Sequence, residues 1–372
     1  MKNKMIIWFT ALFILSAVFS NTVALAAERE YGTYIVLGQG LALGSSEGLG
    51  TPLVILDHES SGYFGNGTLR LKYETVSPTL SMTHRFEGIL DFEYAVYGTA
   101  IAEGNGTDLY KSGELQKSKT FAGDGISTML AVHLFPEKPA RLSLTADSRQ
   151  RKFYNSKLIE EGSTYSLPDR FSESTTTAVI KWVGLLHEDG EISATQTQGA
   201  RSNYKNWQLE TDADSKAEFS KTTLALKDSF EWDKMLITNV KVSSASGTNL
   251  DLFSNIKVGG MTSQYSVAGY FRNEFRVSSA QLLKLNQEIK FADDRIMYVF
   301  ADLASFTNLE LDYLGTSGKS HSISGAGIGY RYGIRSLGGL PIIVNYGHGF
   351  NVSETSKEQS RQELVFVVAA AF

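Results

Sequence analysis

Short runs of alternating apolar residues recur about every 20 residues from Tyr31 to Phe372, and they limit the folds open to this chain. Leu69-Leu71-Tyr73, Phe92-Tyr94-Val96, Leu142-Leu144-Ala146, Ala178-Ile180-Trp182, Ile296-Tyr298-Phe300 and Ile328-Tyr330-Tyr332 each alternate with other, mostly polar neighbours. Period-2 spacing puts one kind of side chain on each face of a β-strand. The counts of 34 Gly, 17 Tyr and 21 Phe against 6 Pro suit many strands, because proline removes a ladder donor. Two architectures remain. In a soluble sandwich the apolar faces point inward; in a membrane barrel they meet lipid and the polar faces line a lumen.

The two ends of the sequence favour the barrel. Lys2 and Lys4 precede an apolar run from Met5 to Val18, and Ala24-Leu25-Ala26 offers small residues for cleavage, so residues 1–26 read as a signal peptide. The apolar run is shorter than the roughly 20 residues that a spanning helix requires. At the other end Leu364, Phe366, Val368, Ala370 and Phe372 share one face. A closing strand of this kind is expected to carry the assembly signal in Phe366, Val368 and Phe372. The expected fold is therefore all-β: a transmembrane antiparallel barrel of about 16 strands over residues 27–372, in the outer membrane of a Gram-negative-type bacterium. Its long outside connections are expected at Glu103–Gly123, Lys152–Thr175 and Glu188–Lys205, which are rich in Ser, Thr, Gly and charge. The formal charge is −5, with no basic block to suggest nucleic acid, and the absence of cysteine excludes disulfides and thiolate metal sites.

Residues 267–372 carry a pattern of motifs. Val267-Ala268-Gly269-Tyr270 is followed by five strand-like segments: Gln281–Phe291, Ile296–Phe306, Ser322–Arg331, Leu340–Gly347 and Glu363–Phe372. The second holds Phe300-Ala301-Asp302, the third Gly325-Ala326-Gly327-Ile328-Gly329, and the fourth begins Leu340-Pro341-Ile342. In order and spacing these resemble the surface-antigen superfamily of outer-membrane assembly barrels, which includes BamA/TamA-like insertases and two-partner secretion transporters. The resemblance implies a long loop folded into the lumen, with a V-R-G-F/Y tip whose arginine meets the carboxylate of an F-x-D strand. Here Ala268 stands in the arginine's place, so Arg272 is the expected substitute partner for Asp302. The first strand-like run at Tyr31 leaves no room for POTRA modules after residue 26, so the reading is of a member without them. The family mechanism then implied is a weak seam between Tyr31–Leu43 and Glu363–Phe372, which a client strand could enter by β-augmentation.

Chemistry is sparse. Gly44-Ser45-Ser46-Glu47-Gly48 has the form of a nucleophile elbow but lacks the strand-to-helix setting that the elbow needs. His58 and Ser60 are two apart, as in barrel lipid hydrolases, and are weighed against a turn or a lumenal polar pair. The six histidines show no metal-ligand spacing, and no cofactor or metal is expected. The leading expectation is a non-enzymatic insertase-like or scaffold subunit of an outer-membrane complex. A passive porin-like channel is the alternative, and a hydrolase using His58 and Ser60 is third. Expected partners are outer-membrane lipid, periplasmic chaperones and the barrel-assembly machinery during biogenesis, and other outer-membrane proteins.

Overall fold

A computed structural model describes residues 31–371 apart from connections at 44–52, 64–66, 75–76, 87–88, 102–109, 112–113, 116–121, 137, 155–169, 185, 203–216, 252–253, 262, 271–272, 310–317, 335–339 and 351–360. The expected signal peptide, Arg272 and Phe372 lie outside the described residues.

The strands are β1 Tyr31–Leu43, β2 Leu53–Tyr63, β3 Gly67–Glu74, β4 Ser77–Phe86, β5 Leu90–Ile101, β6 Tyr110–Lys111 and β7 Glu114–Leu115. They continue with β8 Ala122–Leu134, β9 Ala140–Tyr154, β10 Arg170–Val183, β11 Glu191–Ser202, β12 Glu218–Glu231 and β13 Leu236–Thr248. The last are β14 Ile256–Gly259, β15 Tyr265–Ser266, β16 Phe275–Ala292, β17 Arg295–Asn308, β18 Ser320–Ile334, β19 Leu340–Phe350 and β20 Arg361–Ala371.

Sixteen of these, β1–β5, β8–β13 and β16–β20, pair antiparallel with their neighbours in chain order. The ladder returns on itself. β1 pairs with β2 on one side and with β20 on the other, from Tyr34–Ala371 to Leu43–Gln362. Ring closure gives each of these sixteen strands a partner on both sides, which a lipid environment demands. Connections at one end are short turns, such as Asp293-Asp294, while those at the other are longer apart from the two-residue link at 75–76. Asp233 shapes one short turn by accepting the Met235 and Leu236 amides at 2.6 and 2.8 Å.

Alternation sets the two faces. In β5, Tyr94 and Val96 are exposed while Asp91 and Ala95 are buried; in β8, Ile126 and Leu130 are exposed while Ser127 and Ala131 are buried. An exterior of large apolar side chains around a charged and small-residue interior is the arrangement of a barrel in lipid.

Three expectations need correcting. Glu188–Lys205 is not a long connection: most of it is β11, which pairs with both β10 and β12. Its Ser and Thr content obscures a strand whose lumenal face has no reason to be apolar. In β17 the faces are reversed from the expected sense. Ile296 and Phe306 are buried inside, whereas Val299 and Leu303 are exposed. An interior that is itself packed explains why both faces of this strand are apolar. His58 and Ser60 lie neither in a turn nor in the lumen. They share a β2 face whose register partners are Leu71 and Leu69, and Leu71 is paired in turn with the exposed Leu80.

Candidate functional site: the lumenal loop and its seat

β13 and β16 are direct neighbours, yet residues 249–274 separate them. The described part of that excursion folds inward. β14 adds to the start of β16 through Ile256–Val277 and Val258–Phe275, and β15 lies parallel to β14. Ile256, Val258, Val267 and Val277 are fully buried and pack with Tyr265, Tyr270, Leu282, Ala304, Phe306 and Ile323. These residues form a dry core inside the barrel, with the Phe275 and Phe306 rings 4.7 Å apart.

The root of the loop is held by side chains. The Asp251–Ser254 turn closes on itself, with Ser254 N donating to Asp251 Oδ1 at 2.8 Å and Asp251 N to Ser254 Oγ at 3.0 Å. Arg201 of β11 meets it from the wall, its Nη2 2.7 Å from Ser254 Oγ and 3.3 Å from Asp251 Oδ1. Glu173 of β10 lies 3.4 Å from Arg201 Nε, and the guanidinium stands 4.1 Å over the Phe219 ring. Arg201 is shielded from solvent, so this network stands in low dielectric, where each charge depends on its partners.

The tip is held by backbone. Val267 N donates to Gly259 O at 2.6 Å, which brings the Ala268 amide 3.1 Å from Asp302 Oδ2. Met261 N donates to Glu363 Oε2 at 3.0 Å, and the Gly269 amide also bonds to this carboxylate. Gly269 has φ +84°, a left-handed conformation that favours glycine, and a Cβ there would strike the backbone of Gly349. A Cβ at Gly347 would come within 2.6 Å of Ala268 Cβ, and one at Gly325 would strike Ala268 O. The Tyr270 hydroxyl donates to Phe350 O at 2.5 Å. The glycines of β18 and β19 therefore leave the hollow that the tip fills.

The structure places Val267, Ala268, Gly269, Tyr270 and Asp302 in one contact region. Among the described residues the cation beside Asp302 is Lys284 of β16, with Nζ 3.4 Å from Asp302 Oδ1 and 2.6 Å from Ser266 Oγ. Sequence reasoning missed Lys284, Glu363 and Met261. A charge within Leu282-Leu283-Lys284-Leu285 was the available signal. Phe366 of the closing strand is exposed on the outside and Val368 is half-buried. The ring of His58 bonds to Thr33 Oγ1 at 3.0 Å, and Ser60 Oγ is buried with no hydrogen-bond partner among the described residues.

No family model matches the sequence, and no curated protein matches it. Solved structures do. BamA from Haemophilus ducreyi lacking POTRA domains 1–3 is similar with a TM-score of 0.61 at 14% identity, over 92% of this chain and 70% of that one. CdiB from Acinetobacter baumannii gives 0.62 at 11% identity, over 92% and 60%. CdiB from Escherichia coli gives 0.57 at 11% identity, over 91% and 63%. The barrel fold is shared with BamA and CdiB. This chain spans less than two thirds of the length of either CdiB structure.

Proposed function

We propose that the chain acts in the outer membrane as a barrel of the assembly and translocation type, an insertase-like or scaffold subunit rather than an open channel. The observation that supports this reading most is the seated tip. Val267–Tyr270 fills the interior against Asp302, Gly325, Gly347 and Gly349, so the lumen is occupied by the chain's own loop. With the interior filled, the place for a client strand is the β1–β20 seam. There Val36, Leu37 and Gly38 face Ala369, Val368 and Val367 in register. Backbone hydrogen bonds across such a seam can be exchanged for those of an incoming strand. Periplasmic chaperones would deliver clients, and other outer-membrane proteins would take the scaffold's outer face.

The test is to lock the seam. Because the chain has no cysteine, Val36→Cys with Ala369→Cys can bridge only to each other within one molecule. Oxidation should abolish insertion of a second barrel into liposomes by the purified protein, and reduction should restore it. An oxidised variant as active as the reduced one would sink the insertase reading. Steady, large ion conductance by the parent in planar bilayers would replace it with a pore.

A further inference from the structure

We propose that the lumen carries a Ser–His–Glu hydrolytic site, built from Ser143, His133 and Glu93 on three adjacent strands. His133 Nδ1 stands 2.8 Å from Ser143 Oγ, and His133 Nε2 stands 3.2 Å from Glu93 Oε2. β8 lies between β5 and β9, with His133 directly opposite Ser143, so the order across the wall is acid, imidazole, hydroxyl. All three face inward, since Leu144 and Tyr94, their neighbours in sequence, are exposed outside. A carboxylate accepting Nε2–H fixes the tautomer and leaves the Nδ1 lone pair to accept the serine proton. Both distances lie within hydrogen-bond reach for a nucleophile, its base and the group that orients the base.

The site also admits solvent. The His133 and Glu93 side chains are 29% and 25% exposed, and the β8–β9 turn lies only a residue beyond Leu134, at the short-turn mouth. Strands hold the three groups more firmly than loops would. Arg141, two residues before Ser143 on the same inward face, adds a positive charge; its Nε is held by Lys138 O at 3.0 Å.

The substrate class is a carboxylic ester small enough to enter from that mouth. Ser143 Oγ attacks the carbonyl carbon as its proton passes to His133 Nδ1. The C–O bond to the alcohol then breaks, and the alcohol leaves with that proton. Lumenal water, deprotonated by His133, opens the resulting acyl-serine ester; the carboxylic acid departs and Ser143 regains its proton. Arg141 favours the oxyanion formed in each half. Glu93 is a positioning residue that holds the ring and stabilises the imidazolium. This site is independent of the seam, and its failure leaves the assembly reading untouched.

The experiment treats the purified full-length barrel, verified as folded by heat-modifiable migration, with a fluorescent fluorophosphonate and with p-nitrophenyl butyrate. The expected result is covalent labelling that peptide mass assigns to Ser143, together with ester turnover. Ser143→Ala should abolish both. Glu93→Gln should slow both by about 100-fold or more while the barrel stays folded, and Ser60→Ala should leave both unchanged. A folded parent without label on Ser143 would overturn the proposal. So would labelling at an undiminished rate in His133→Gln, because Ser143 would then be reacting without its base.

Discussion

The root and the tip of the lumenal loop are fastened by opposite means. At the root, the Asp251–Ser254 turn is gripped by side-chain charge: Arg201, Glu173 and Asp251, away from water, with Phe219 beneath the guanidinium. At the tip, wall carboxylates accept main-chain amides of Ala268 and Met261, and absent side chains at Gly325 and Gly347 make the space. The root should therefore fail when a charge is removed. The tip should fail when bulk is added.

The sharpest break expected is at the root. Arg201→Met removes the buried cation that Glu173 and Asp251 share in low dielectric and should cost about 3–5 kcal/mol, read as a lower guanidinium midpoint for the folded form on heat-modifiable gels. Protease cleavage within 249–274 should rise in parallel. At the tip, Gly347→Val forces a side chain into Ala268 and should cost about 1–3 kcal/mol while raising conductance as the loop leaves its seat. An unchanged conductance would mean that the tip accommodates bulk, which removes the contrast.

Lys284→Met removes the cation beside Asp302, leaving the Ala268 amide as its partner among the described residues, and should cost about 2 kcal/mol in the same midpoint assay. Tyr270→Phe deletes one hydrogen bond to Phe350 O and should cost about 1 kcal/mol. As a reference away from both anchors, Arg70→Met removes the Arg70–Asp57 pair, whose arginine is 47% exposed, and should change stability by less than about 1 kcal/mol.

Most of the barrel is legible in the amino-acid sequence, and the exceptions have physical causes. Alternation locates most of the barrel strands but not β2 or β4, and the five segments after Tyr270 begin and end within six residues of the bounds of β16–β20. β11 escapes because a lumen-facing strand built from Ser, Thr and Gln has the composition of a loop. Ile296-Tyr298-Phe300 reads as a lipid-facing stripe because apolar alternation records that a face is dry without saying which side is dry. Val267–Tyr270 points to the tip, and Asp302 to its partner. The Glu363–Met261 bond joins residues 102 apart through a backbone donor that any residue type supplies, so nothing at position 261 announces it. Ser143 and His133 are inconspicuous as sequence, being ten residues apart on different strands.

A seat that binds main-chain amides has a consequence for how such proteins drift. Almost any side chain compatible with the local path leaves the amides of residues 261 and 268 where Glu363 and Asp302 need them. Position 261 can then vary in side-chain chemistry, whereas Val267, Ala268, Gly269 and Tyr270 stay constrained by the core and the hollow they fill. Part of the information that specifies docking is stored in β18 and β19 as an absence of atoms, and the amide donors it receives carry no side-chain signature of their own.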